Sequence, residues 1–529
     1  MARRAQQVAP RVGALVWTGG GLALVLVAAL TLGPLLALAL RAEPGRALGP
    51  ADWAALRFTL TQALISAALS VALAVPAARA LARRSFPGRG AFVALLGAPF
   101  LLPAIVAIFG LLAIWGRAGL VSHGLGAAGF GPIDIYGLTG VVLAHVFFNL
   151  PLVTRLVLQG WLALPAEQFR LAAQLGFGPR DIFRRIEAPM LREVLPGAFV
   201  LVFLLCVGSF AVALTLGGGP RATTVELAIY QALRFDFDLG RAALLALIQF
   251  ALCGAVTVAA LRLAAEARFD SGLRGTVRRW DAHPAQRLLD GAALLALGLF
   301  LGLPLLAVVA RGLPALIAGP GASVWIAALR SVGVALASAA LAVGLGLGLA
   351  ALIDALRARG GGRGVEAFGM LTLAASPFVI GTGLFILLHP LADPFALALP
   401  VTAAVNAAMA LPFTLRALLP ALGAARTLDG RLADSLGIAG WARFRLVTWA
   451  RLRRPMGFAA GLAAALSMGD LGVIALFAPP EVATLPLLMQ RLMAAYRMEA
   501  AAGVALVLVG LTYLLFWIFD RGGRIHAPA

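Results

Sequence analysis

The sequence predicts an all-α polytopic membrane protein with about twelve transmembrane helices in two homologous six-helix halves. Three observations carry that expectation. Of 529 residues, 61% are hydrophobic and only 12% are charged, with a mean hydropathy of +0.96; a soluble domain carries about 25% charged residues. Apolar runs long enough to cross about 30 Å of hydrocarbon recur along the whole chain. The second half of the chain also repeats the first.

The first run, 14–40, follows Arg3, Arg4 and Arg11. It is far longer than the apolar core of about 7–15 residues in a signal peptide. Its end, GPLLALALR at Arg41, is echoed by LPLLAVVAR at Arg311, so it is read as the first span. Runs near 60–82, 92–115, 137–160, 194–217 and 242–264 complete the first half. Runs near 288–310, 331–355, 367–389, 397–420, 457–478 and 500–520 make the second. Several contain Gly or Pro, which membrane helices tolerate where neighbours satisfy the freed backbone groups.

The halves are related by a direct repeat. ISAALSVAL at Ile65 answers ASAALAVGL at Ala337, and APFLL at Ala98 answers SPFVI at Ser376. LPLVTR at Leu150 answers LPFTLR at Leu411, and from there to Val212 and Val473 the offset stays at 261 without a gap. Six spans per copy leave both copies in one orientation, related by a pseudo-twofold along the membrane normal. The expected division is a first half over 1–264, a basic cytoplasmic linker over 265–287, and a second half over 288–529.

Charge fixes the expected orientation. All 43 basic residues are Arg. With the N-terminus inside, 32 of them fall in or beside inward-facing segments and 11 beside outward-facing ones, a bias that sets topology. Both termini are therefore expected in the cytoplasm. The net charge of +20 lies in short clusters between apolar runs, which reads as topology rather than as a nucleic-acid face. Without Lys the chain has no standard P-loop, whose Lys reaches the β- and γ-phosphates, so any ATP-driven step belongs to another polypeptide.

Other chemistry finds little support. Cys206 and Cys253 fall inside apolar runs with no His near in sequence, and read as small buried hydrophobes; no metal site is expected. An intramembrane enzyme would need clustered His, a Ser–Lys dyad or metal-ligand spacing, and none is present. An ion-coupled secondary transporter of two parallel halves would need coupling groups in mid-span, where the sequence offers little beyond Asp470.

Between the fourth and fifth spans of each half, on the cytoplasmic side, lies a repeated segment. Copy one is RLAAQLGFGPRDIFRRIEAP, from Arg170 to Pro189; copy two is RLADSLGIAGWARFRLVTWA, from Arg431 to Ala450. Each has Gly followed by an apolar residue, then Phe seven residues after the Gly and a β-branched residue ten after it. A short amphipathic helix between spans either docks on an aqueous partner or lies on the membrane surface. Two copies at matched spacing favour docking.

Inside the spans an ionisable residue is costly, about 2.5–3.5 kcal/mol for Asp at a helix centre on insertion scales. Asp470, in SMGDLGV, occupies the position of Ser209 in GSFAV, so Ser209, Phe210 and Asp470 are candidates for the translocation path. The alternative for Asp470 is a hydrogen bond at a helix break beside Gly469 and Gly472. Asn149, before Leu150-Pro151, is a further path candidate, though it and Asn406 also suit a Pro-freed carbonyl or a neighbouring helix. His145 and His389 read as structural or interfacial. The segment Arg234–Asp238 suits either contact with a binding protein or an amphipathic belt.

The repeated loop resembles the cytoplasmic EAA loop of ABC-importer permeases, in which a coupling helix docks on the ATPase subunit. Ala172, Gly176, Phe183, Ile186 and Pro189 match that pattern in copy one, and Ala433, Gly437, Phe444 and Val447 match it in copy two. The Glu position is Arg170 or Arg431, and Ala450 replaces the final Pro. The coupling loops are expected over about 161–193 and 421–455. Nearly the whole chain is similar to the fused two-domain permeases of bacterial thiamine transporters, most tellingly LTLGGGPRATTVELAIYQALRFDFDLGRAALLALIQ from Leu214 and ALSMGDLGVIALF from Ala465. Permeases for ferric iron, sulfate and polyamines are related. The resemblance implies an inner-membrane translocation subunit of the type I importer fold without a cofactor of its own. It further implies two ABC ATPase subunits that carry ATP and Mg²⁺, a periplasmic binding protein, and a small-molecule substrate, thiamine or its phosphate esters.

Overall fold

The computed structural model describes residues 14–42, 47–263, 284–373, 375–427, 429–438 and 440–524. All but the last four residues of the expected linker, 265–287, lie outside them. In the first half the chain runs through α1 (Ala14–Arg41), α2 (Pro50–Arg83), α3 (Arg89–Leu95), α4 (Ala98–Leu101), α5 (Ala104–Trp115), α6 (Leu120–Ala127) and α7 (Leu138–Ala163). It continues through α8 (Ala166–Gln174), α9 (Pro179–Ile182), a π-helical turn (Phe183–Glu187), α10 (Ala188–Val207), α11 (Phe210–Leu216), α12 (Val225–Arg234) and α13 (Leu239–Leu263).

The second half repeats this order, with α14 (Pro284–Ile317), α15 (Ala322–Arg357), α16 (Arg363–Gly369), α17 (Pro377–Leu388) and α18 (Ala398–Thr427). Then come α19 (Asp429–Ser435), α20 (Gly440–Arg443), a second π-helical turn (Phe444–Thr448), α21 (Trp449–Met468), α22 (Gly472–Phe477), α23 (Leu485–Ala494) and α24 (Met498–Arg524). The run from α9 through α10 recurs as α20 through α21 with every boundary displaced by 261 residues.

Local chemistry explains the element ends. Pro50 opens α2, where a missing N–H costs nothing, and Asp52 Oδ2 accepts the Gly49 N–H at 3.0 Å. Thr224 caps α12, its hydroxyl accepting from the Leu227 N–H, and Ser376 does the same for α17 through the Val379 N–H.

Ten stretches among the described residues are long and apolar enough to cross a membrane, so two of the twelve expected spans, 367–389 and 457–478, have no counterpart among them. The run 367–389 is divided because a residue before proline is driven out of the α region, and Ser376 is extended before Pro377. The run 457–478 breaks after Met468, and its helix begins with Arg451, Arg453 and Arg454 at its polar end. The expected spans 92–115 and 194–217 are interrupted as well, at Leu102–Pro103 and at Gly208–Ser209.

Each half lends its first helix to the other. Helix α1 packs on α15 and α17, and α14 packs on α24, α5 and α2. The two exchanges use the same device. A Cβ on Gly383 would meet the Pro34 carbonyl oxygen at 2.4 Å, and one on Gly110 would meet that of Pro304 at 2.6 Å. Only a bare backbone lets α1 and α14 come that close. Large apolar side chains such as Leu36 and Leu329 stand on the outer surface, as lipid requires. Trp53 and Trp325 sit near helix starts and Trp517 near a helix end, matching an interfacial belt.

Candidate functional site: a repeated loop and a central cavity

The two repeated loops are built alike. Helix α8 ends at Gly176, whose φ of +66° is left-handed. The Phe177 N–H reaches the Ala172 carbonyl at 2.9 Å and the Gly176 N–H the Ala173 carbonyl at 3.1 Å, the two bonds of a Schellman cap. Gly437 repeats this with a φ of +65°, and the Ile438 N–H bonds the Ala433 carbonyl at 2.8 Å. Gly176 and Gly437 thus end the two helices in the same way.

The alanines face inward. Ala172 and Ala433 are each 2% exposed. Ala172 packs with Phe169 and Ile182, flanked by Phe177 and Ile186. The small side chain lets the loop close on itself. What the helices present outward is a leucine pair spaced i, i+4. Leu171 and Leu175 are 56% and 61% exposed, and Leu432 and Leu436 are 61% and 64% exposed. The LxxxL spacing was the signal for them. Phe183 and Phe444 are partly exposed. The Arg79 guanidinium lies 5.2 Å from the Phe183 ring, whereas Phe444 stacks on Trp441 at 5.1 Å. Ile186 and Val447 are half-buried, and Pro189 stands exposed in the first turn of α10.

Beneath the first loop lies a charge cluster with no carboxylate at the equivalent position of the second. Glu187, fully buried, takes Arg79 at 2.7 Å and Arg83 at 3.8 Å. Arg84 bonds Asp290 of α14 at 2.7 Å. Thr448 stands where Glu187 does in the repeat.

Between the halves lies a cavity of about 640 Å³, within the roughly 300–1,000 Å³ of small-molecule sites. All four path candidates, Asn149, Ser209, Phe210 and Asp470, line it together. At its deep end both fifth helices break. The α10 carbonyls freed by the break at Gly208 are taken up by buried amides. Gln62 Nε2 donates to the Cys206 oxygen at 2.9 Å and Gln249 Nε2 to the Val207 oxygen at 3.2 Å.

A polar chain runs from each break into the bundle. Ser209 Oγ is hydrogen-bonded to His145 Nε2 at 2.7 Å, and His145 Nδ1 to Ser66 Oγ at 3.3 Å. Asn149 Nδ2 donates to the His145 carbonyl at 2.8 Å. In the second half Ser338 and Ser467 are 2.9 Å apart, and Asn406 Nδ2 donates to Ser467 at 3.0 Å. Asn406 stands 261 residues after His145, so the repeat keeps a polar chain with different members. Asp470 lines the cavity and also sits at the helix break. Its Oδ1 accepts the Gly472 N–H at 3.1 Å, holding the first turn of α22, while Oδ2 has no hydrogen-bond partner.

His145, expected in a structural or interfacial role, is buried and bonded to Ser66 and Ser209 and also lines the cavity, and one cavity residue escaped the sequence reading. That residue, Glu226, lines the cavity from α12, with a side chain only 1% exposed and Oε1 without a partner. Its signal was an acid in an apolar stretch, VELAIY. The Phe210 and Phe378 rings, one from each half, meet at 4.2 Å between centroids beside these acids. Arg155 and Gln159 line the cavity further along α7, toward α8. Elsewhere, Arg234 donates to the Ala478 carbonyl at 2.7 Å, tying the halves together, and His389 closes α17 beside the Phe385 ring. Among the described residues no three His, Cys, Asp or Glu side chains converge as a metal site requires.

A search of family models found no match. Individual proteins are similar over almost their full length. The chain is 43% identical over 522 residues to the thiamine transport system permease protein ThiP of Brucella abortus, covering 96% of each. It is 41% identical over 487 residues to that of Salmonella typhimurium, 90% of each, and 40% identical over 480 residues to that of Escherichia coli, 89% of each.

Proposed function

This chain belongs to the family of thiamine transport system permeases, and we propose that its central cavity is the route by which an ABC importer passes thiamine across the membrane. It is the permease of that importer. The carrying observation is that Asn149, Ser209, Phe210 and Asp470, drawn from both repeats, line one cavity of about 640 Å³ between the halves. The finer proposals are the bacterial inner membrane as location and N- and C-termini in the cytoplasm, which the Arg asymmetry supports.

The power comes from outside the chain. Two ATPase subunits, holding ATP and Mg²⁺, dock on α8 and α19; the absence of Lys supports a separate ATPase. The exposed pairs Leu171–Leu175 and Leu432–Leu436 supply the apolar face of each contact, while Ala172, Gly176, Ile182 and Ile186 hold the first helix in place. A periplasmic binding protein delivers substrate at the opposite end. Closure of the ATPases on ATP moves both loops and rocks the halves, and hydrolysis returns them. Direction follows from different contacts in the two states. Thiamine phosphate esters are proposed as further cargo, supported by Arg155 lining the cavity toward α8.

The test is uptake of labelled thiamine by a strain that lacks thiamine synthesis and its own permease, complemented with this chain and its partner subunits. Rescued uptake, competed by thiamine phosphates, is the expected result. No rescue with the complex assembled, or competition by ferric iron or polyamines instead, overturns the reading.

A further inference from the structure

The deep end of the cavity holds two carboxylates whose surroundings do not satisfy them. Glu226 is 1% exposed and Asp470 is half-buried, and each keeps one oxygen without a hydrogen-bond partner, Oε1 and Oδ2 respectively. Ser376 and the Phe210 N–H flank the Glu226 carboxylate, and Asn406 flanks that of Asp470, yet Oε1 and Oδ2 are left over. A buried polar atom without a partner costs free energy and calls for an explanation. No basic side chain is paired with either acid in an ion pair among the described residues. Arg155 also lines the cavity, ten residues beyond His145 along α7, a rise of about 15 Å along that helix.

The aromatic surroundings are equally specific. Phe210 and Phe378 meet at 4.2 Å. Phe210 follows Ser209, and a Cβ added to the preceding Gly208 would lie 3.7 Å from Glu226 Oε1. Phe378 presses on Gly472, where an added Cβ would meet its ring at 2.8 Å and Asp470 Oδ1 at 3.7 Å. The ring pair and the two acids line the same cavity, with one acid and one ring from each repeat region.

We infer that Glu226, Asp470 and the Phe210–Phe378 pair form a substrate site inside the permease, selective for a flat organic cation whose charge carries no N–H. This rests on the proposed thiamine function, since a thiazolium ring is such a cation. It offers no proton for a directional hydrogen bond at its charged nitrogen. Charge alone and the negative face of an aromatic ring must hold it, and two acids without basic partners beside two rings supply both. The repeat is broken in the service of the site. Glu226 has no acidic counterpart in α23, whose residues are LPLLMQRLMA, and Asp470 has Ser209 as its counterpart. The two charges thus reach the axis from non-equivalent positions, which suits a cargo without twofold symmetry.

The test uses the permease with its ATPase subunits in lipid nanodiscs, without the binding protein. Binding of labelled thiamine is measured beside that of an uncharged thiophene isostere of the same shape. The expected result is that the wild-type complex binds thiamine at least about tenfold more tightly than the isostere, while Glu226→Gln combined with Asp470→Asn brings the ratio close to one. Absence of thiamine binding to wild type, equal binding of the two ligands by wild type, or an unchanged preference in the double variant overturns the site. Should the double variant fail to assemble, the wild-type comparison of the two ligands decides. Thiamine uptake by wild-type cells with no charge preference in the nanodiscs removes the site and leaves the transport function standing; absence of that uptake sinks the function itself.

Discussion

Arg79 of α2 donates to Glu187 at 2.7 Å, and the carboxylate it meets is wholly buried at the end of the first π-helical turn. The pair joins the end of a membrane helix to the segment that follows α8. Through Arg83 and Arg84 the same cluster reaches Asp290 on α14, the helix that opens the second half. The first loop is thereby tied to both halves. The second loop, with Thr448 in place of Glu187, is tied instead by Arg451 of α21 to Asp429 of α19 at 2.7 Å.

Glu187→Ala should leave arginines buried without their carboxylate. Breaking a buried pair costs about 3–5 kcal/mol, so thermal unfolding in detergent should move down by several degrees. Thr448→Ala removes no charge and should stay close to wild type. Replacing Arg79 by Met in the Glu187→Ala background should add less than the sum of the single changes. Strict additivity would show that the pair is not a unit.

Gly176 and Gly437 each hold a left-handed backbone with open space around the missing side chain. A substitution there meets no clash, only the conformational cost of about 1–2 kcal/mol that L-residues bear in that region. Gly176→Val and Gly437→Val should therefore loosen the caps and lower both ATPase co-purification and uptake. Asn tolerates the same backbone, and Gly176→Asn should recover most of the loss. Val variants that keep full uptake and full co-purification would remove the caps from coupling.

The leucine pairs predict a different phenotype. Leu171 and Leu175 have little to lose in fold stability, since more than half of each is already exposed. Leu171→Glu with Leu175→Glu should leave thermal stability within about 0.5 kcal/mol and yet abolish ATPase co-purification at that loop. The matching change at Leu432 and Leu436 should do the same for its own. A stable double variant that still binds the ATPase at wild-type strength contradicts the docking face.

Much of this architecture is readable in sequence because the repeat is close. The displacement of 261 between α10 and α21 and the glycine caps follow from aligned residues, as does the grouping of Ser209 with Asp470. The exchange of α1 and α14 is not readable. In lipid, faces that meet protein and faces that meet acyl chains are both apolar, so hydropathy does not say which helix α1 chooses. The inward turn of Ala172 was hidden for a related reason: LAAQL offers apolar residues on adjacent faces, and only the packing of Ile182 and Ile186 decides between them. Glu226 lies between Val225 and Leu227 in a short helix outside the long apolar runs. A search confined to acids within spans passes over it.

Asp470 combines two tasks that substitution can separate. Its Oδ1 holds the N–H groups at the start of α22, and its carboxylate lines the cavity proposed as the substrate route. Asn retains the accepting oxygen and loses the charge; Ala loses both. Capping oxygens are worth about 1 kcal/mol, with Asn nearly equal to Asp. Asp470→Asn should therefore unfold at nearly the wild-type temperature, and Asp470→Ala should fall below it. Uptake of thiamine should drop about tenfold or more in both, because charge is what they share in losing. Normal uptake in Asp470→Asn together with a loss in Asp470→Ala would assign the residue to the helix break alone. Equal loss of uptake across unequal stabilities ties the charge to transport.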